Sequence, residues 1–225
     1  MRGEHMPLPD YFVWTRYGTE SGEAVESILA RKERERQAAG GIFLWGIGNS
    51  VGPSVRKLLE RLKGRDPSVV FSPMLAAPRV VDVIPAEVVA WQSARGLDGQ
   101  EWEIPAGTLV TSRGCPAGGG KSRHYALVCR RNEALRVNDV ADRFAAADLA
   151  NFASGNPVGH SQVTAVVRRT GISANGPYIA AMIATLAYPY VVELSDPVGL
   201  GGTSPALNRN RQAVRTRQLP LDAAS

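Results

Sequence analysis

Apolar and polar positions fall into blocks along the chain, and the block shapes separate strands from helices. Tyr11–Thr15 (YFVWT) packs aromatic and β-branched side chains into five consecutive positions, which predicts a first strand. From Ala24 to Ala38, Val25, Ile28 and Leu29 mark one apolar side, while ARKERERQ is densely charged. This predicts an amphipathic helix that opens after the polar turn at Thr19–Glu23, stops at Gly40-Gly41 and turns its charge run to solvent. Gly41–Gly46 (GIFLWG) is apolar throughout and predicts a central strand. Gly48–Pro53 breaks it, and Ser54–Lys63 predicts a short helix.

The middle of the chain reads as β-rich. Ser68–Ser72, Arg79–Ile84, Glu87–Trp91, Thr108–Thr111 and His124–Arg130 are expected strands, punctuated by Pro73, Pro78, Pro85 and Pro105. Arg136–Phe152 reads as helix and Gln162–Arg168 as strand. Pro177–Ala187 (PYIAAMIATLA) reads as a buried core helix, and Tyr190–Leu194 as a last strand. Several strands, few helices and no strict βα alternation give an α+β class, with a mixed, strongly curved sheet or barrel flanked by a few helices. The expected division is a flexible N-terminal segment at 1–10, one domain at 11–198 and a flexible basic tail at 199–225.

Composition changes this picture little. The formal charge of +5, with a pI near 9.5, permits an anionic partner without requiring one. Part of the excess is the tail's Arg209, Arg211, Arg215 and Arg217, set among Gly, Pro, Ser, Asn and Gln. Two cysteines, Cys115 and Cys129, make neither a disulfide framework nor a metal site, so reduced thiols and a cytoplasmic location are expected. No apolar run is long enough to cross a bilayer, and the first residues lack a secretory pattern, so no membrane partner is expected.

Two glycine-rich stretches invite nucleotide readings, and spacing argues against both. Gly120-Lys121-Ser122 would need a glycine at position 115 to complete a P-loop, but that residue is Cys115. The β-rich His124–Cys129 also stands where the P-loop's helix should begin. A strand, glycine loop, strand hairpin is the better reading. Gly46-Ile-Gly48-Asn-Ser-Val51-Gly52 misses the dinucleotide fingerprint by one place, because its third glycine should be residue 51.

The first three expected strands taken together offer another account. Tyr11–Ile28 resembles the opening of the YTH and EVE domains of the PUA-like superfamily: an aromatic strand, a polar and acidic turn, then a helix. Gly41–Gly52 resembles their next strand and its Gly/Asn/Ser loop, and Val69–Met74 the strand after that. The resemblance covers about a third of the chain. It implies a PUA-like β-barrel whose pocket receives one modified base turned out of its helix. Such a base offers two π-faces and one hydrogen-bonding edge, so its reader needs aromatic walls and a few polar groups. On this reading the walls are Trp14, Tyr17, Trp45, Trp91 and Tyr125. The polar lining is Thr15, Gly48, Asn49, Ser50, Ser72 and Ser112. Phosphates would meet Arg16, Arg113, Lys121, Arg123, Arg209 and Arg211, so the GGGKS loop touches phosphate only as part of a nucleic acid backbone.

Catalytic constellations are scarce. His5, His124 and His160 stand without an H-x-E or C-x-x-C zinc pattern, and no G-x-S-x-G is present. The expectation is a binder and not an enzyme, without cofactor or metal. Its expected target is methylated DNA such as 5-methylcytosine, double-stranded DNA ahead of RNA. The alternatives are a nucleotide-dependent enzyme using the Gly46–Gly52 loop and an RNA-binding PUA-like protein.

Overall fold

The computed structural model describes residues 8–17, 25–47, 50–73, 87–112, 124–136, 143–159, 162–173, 176 and 178–199, with backbone alone at 87–89, 111–112 and 197–199. The order begins β1 (Tyr11–Tyr17), α1 (Val25–Ala38), β2 (Ile42–Ile47), α2 (Gly52–Leu62) and β3 (Ser68–Pro73). It continues β4 (Glu87–Gly96), β5 (Val110–Ser112), β6 (His124–Arg130), β7 (Arg143–Phe144), β8 (Leu149–Asn151), β9 (Thr164–Arg169), β10 (Tyr178–Ile179) and β11 (Met182–Gly199). The class is α+β, with a mixed sheet and two helices among the described residues. None of these helices is long and apolar enough to cross a membrane.

The main sheet runs β2-β6-β11-β3-β1-β9-β8, with β4 attached at β11 and β5 at β4, and among the described residues no pairing joins β2 to β8 into a barrel. β1 lies parallel to β3, Trp14 beside Val70 and Tyr17 beside Pro73, and the long α1-β2-α2 connection between them allows this. β9 runs antiparallel on the other side of β1. Strand alternation divides the buried side chains between faces. Val13 and Tyr17 join Phe71, Phe43 and Trp45 in a central core with Val55 and Leu58 of α2. Phe12 and Trp14 face the other way, to Phe144, Leu149 and Tyr178. A third cluster joins Leu44, Trp91, Val110, Ala126, Val128 and Val192.

Several expectations are corrected. β2 is apolar on both faces yet is not central, since its only strand partner among the described residues is β6. It is buried because Phe43, Trp45 and Ile47 fill one core and Leu44 another. The expected hairpin fails, because β5 pairs with β4 while β6 pairs with β2 and β11. The expected helix at 136–152 is, where described, β7, a 3-10 turn at Ala146–Asp148, and β8. Phe144 and Leu149 are both buried at a spacing of five, which no helix face supplies, and β8 pairs with β9. The helix expected at 177–187 is β10 and the start of β11. Its unbroken apolar run fills the gap between β3 and β6, and such a run suits a strand buried on both faces equally well.

The charge run of α1 is not a solvated face. Arg31, Lys32 and Glu35 are buried, because they follow Ile28 by three, four and seven positions and share its stripe. Lys32 Nζ donates to both Glu35 carboxylate oxygens at 2.9 Å and to the Leu109 carbonyl. Arg31 donates to that carbonyl at 3.2 Å, and the Leu109 N–H donates to Glu35 at 3.1 Å. The cluster pins the approach to β5 onto the helix. α1 ends as expected, with Gly40 and Gly41 at φ of 62° and 97°, in the left-handed region. The strand expected at Arg79–Ile84 and the segments 1–7 and 200–225 lie outside the described residues.

Candidate functional site

The proposed pocket residues do not share one space. Trp14 and Trp45 belong to different cores. Every side of Trp14 is taken. Its indole N–H donates to Ser72 Oγ at 3.1 Å, and Phe144 and Tyr178 meet the ring at edge angles. The Arg16 guanidinium lies 4.7 Å from the Trp14 ring centroid and donates to the Tyr178 hydroxyl at 2.9 Å. Arg16 therefore serves the core where a phosphate contact was expected. Thr15 Oγ1 and Thr164 Oγ1 share a hydrogen bond at 3.0 Å.

Trp45 stands between Phe71, at 4.9 Å, and Tyr17, at 6.3 Å, both edge to face. Burial pushes the Tyr17 hydroxyl up to about 12. These three rings close the central core and leave no face for a ligand. Ser50 accepts a hydrogen bond at 3.2 Å from the Gly52 N–H, at the start of α2. Neighbouring Gly48 and Asn49 lie outside the described residues, as do Arg113, Lys121, Arg123, His160, Arg209, Arg211 and the side chain of Ser112. Tyr125, on the face of β6 toward the central core, packs partly buried against it.

Trp91 differs from the other buried tryptophans. It sits on β4 with 6% of its surface exposed, yet its indole N–H is buried and has no hydrogen-bond partner among the described residues. His124, at the start of β6, lies with its ring centroid 5.2 Å away, tilted by 53°. Burial lowers the imidazole from its ordinary 6.5, which keeps it neutral at pH 7. An indole N–H left buried without an acceptor costs about 1–3 kcal/mol. Trp91 was among the expected walls; its pairing with His124 was not, because the two residues are 33 positions apart along the chain and β11, which pairs with both their strands, brings them together.

The nucleotide-site alternative loses its frame in this topology. The dinucleotide fingerprint needs parallel βαβ neighbours, whereas β2 pairs antiparallel with β6 and lies apart from β3. β6 also stands as a strand after Lys121-Ser122, where a P-loop would open its helix. Among the described residues no group of three or more His, Cys, Asp or Glu side chains is placed to hold a metal ion. No protein-family model, curated protein or solved structure matches the chain.

Proposed function

We propose that the protein binds nucleic acid carrying a modified base, methylated double-stranded DNA first, on a PUA-like scaffold, and that it takes the base against Trp91 and His124. The observation that carries this reading is the buried indole N–H of Trp91, which has no partner among the described residues, beside an imidazole whose pKa burial lowers. A flipped base supplies what is missing: an acceptor on its hydrogen-bonding edge and a π-face for the two rings. Its methyl group adds apolar surface, which suits the aliphatic members of the third core, to which Trp91 belongs. Arg123 and Lys121 stand one and three positions before His124 in sequence and carry the charge a nearby phosphate needs. The pocket thus keeps Trp91 from the sequence-based set, gains His124 and releases Trp14, Tyr17 and Trp45 to the cores.

Equilibrium binding of three labelled probes tests this: a methylated DNA duplex, its unmodified twin and a methylated RNA of the same sequence. The expected order is methylated DNA first. Trp91→Phe, which keeps a ring and removes the N–H, should lower that preference about tenfold, the worth of one hydrogen bond of about 1.4 kcal/mol. Equal affinity for both duplexes overturns the reading of a modified base. Strongest binding to the RNA overturns the choice of DNA.

A further inference from the structure

We infer that a second surface, centred on the C-terminal end of α2 and the Tyr188–Tyr190 bulge, holds a single-stranded stretch of the same nucleic acid. The inference rests on the nucleic-acid reading but not on the base pocket. Between Arg56 and Arg65 the chain carries five cations, Arg56, Lys57, Arg61, Lys63 and Arg65, against one carboxylate, Glu60. All six side chains are exposed. The end of this segment lines a cleft of about 730 Å³, where Arg61, Lys63 and Arg65 join Tyr11 and Ser68 and outnumber the two carboxylates, Asp10 and Asp66.

Aromatic rings interleave with these charges. Arg61 lies 5.3 Å from the Tyr11 ring centroid, and Tyr11 meets Phe152 edge to face. The Tyr190 hydroxyl donates to Asp66, in the cleft lining, at 3.4 Å. The Tyr190 ring meets that of Tyr188 at 6.1 Å, and the Tyr188 hydroxyl donates to Asp98 at 2.5 Å. Asp66 and Asp98 thus act as anchors that fix the two rings. Tyr188 is 59% exposed, one of only two large hydrophobic side chains so exposed among the described residues. Arg56 extends the surface by donating to the Leu97 carbonyl next to Asp98.

Cations that track a backbone, alternating with fixed rings that present a face, are what a single strand requires, since every base has a π-face and every linkage a phosphate. A protein partner with an acidic face would use the cations but leave the anchored, exposed tyrosine without a stacking partner. The surface lies at the Tyr11 end of β1, where Ser68 of β3 pairs beside Phe12.

The test uses the full chain and a methylated duplex with or without a short single-stranded overhang, at several salt concentrations. The overhang should tighten binding. Tyr188→Ala should cancel that gain, a loss of roughly tenfold, and Tyr188→Phe should keep it. Lys63→Gln with Arg65→Gln should make the salt slope shallower by about 1.4, twice the 0.7 expected per single-strand phosphate. Trp91→Phe should weaken the preference for the methylated base yet keep the overhang gain, which separates the two sites. Binding that is indifferent to the overhang, or to Tyr188→Ala, overturns this inference and leaves the base reading standing. Retention of an acidic peptide such as polyglutamate by this surface, with no nucleic acid bound, overturns both.

Discussion

Trp14, Trp45 and Trp91 look alike in the sequence, each an indole inside a β-rich run, and only their surroundings separate them. Trp14 is enclosed on every side and its N–H is satisfied by Ser72. Trp14→Ala should therefore cost about 3–5 kcal/mol of stability, with Ser72 left buried and unpaired, and thermal unfolding reads this directly. The surviving folded fraction should discriminate methylated from unmodified DNA as the wild type does. A stable Trp14→Ala protein that has lost discrimination would return Trp14 to the site. His124 gives a pH signature. Its folded pKa lies below its ordinary 6.5, so the unfolded chain binds the extra proton just below that pH. The contribution is complete above pH 6.5 and is lost as pH falls through the folded value. His124→Phe should flatten the acid side of the stability profile measured in urea. An unchanged profile would mean that His124 is not held neutral by burial.

Among elements, α1 shows how a local pattern can be present and still be misread. The i, i+3, i+4, i+7 stripe through Ile28, Arg31, Lys32 and Glu35 is in the sequence, but charge at three of its four positions suggests solvent. The ions stay buried because each finds a partner, on Glu35 or on the Leu109 backbone. Glu35→Leu leaves Lys32 uncompensated and should cost about 3–5 kcal/mol, whereas adding Lys32→Met should recover part of that loss, a non-additivity that a double-mutant cycle reads. Burial also pushes Lys32 down to about 8. Between about 8 and its ordinary 10.5 the unfolded chain holds more protons, so this group makes stability rise with pH, and Lys32→Met should remove that rise. The buried Cys129 thiol, pushed up by desolvation, acts the opposite way above pH 9, so the comparison is between wild type and variant. Additive single and double variants would contradict the ion cluster. The stretch from β1 to β3 was legible because its signals are local: an aromatic run, a helix period, Gly40-Gly41 as a stop. The segments at 143–151 and 178–187 were not, because their alanines favour helix while β9, β3 and β6 offer pairing from distant parts of the chain.

In the whole molecule, one mixed sheet contributes strands to all three cores. Of the site, the sequence revealed the aromatic residue types and the basic balance, while which indole keeps a free N–H depends on long-range pairing. The five cations near the end of α2 were readable as a cluster; their alignment with Tyr11, Tyr188 and Tyr190 was not, since those rings come from both ends of the chain. The claim on which the functional account turns is that the Trp91 N–H waits for an acceptor on a modified base. The chain has four tryptophans, so indole N–H resonances in a ¹⁵N-labelled sample are few, and Trp91→Phe assigns the one in question. On titration with a methylated duplex, that resonance should move downfield, as a newly bonded N–H does, and stay in place with the unmodified duplex. Movement of the Trp14 or Trp45 resonance instead, or a Trp91 resonance that ignores the methylated duplex, would contradict it.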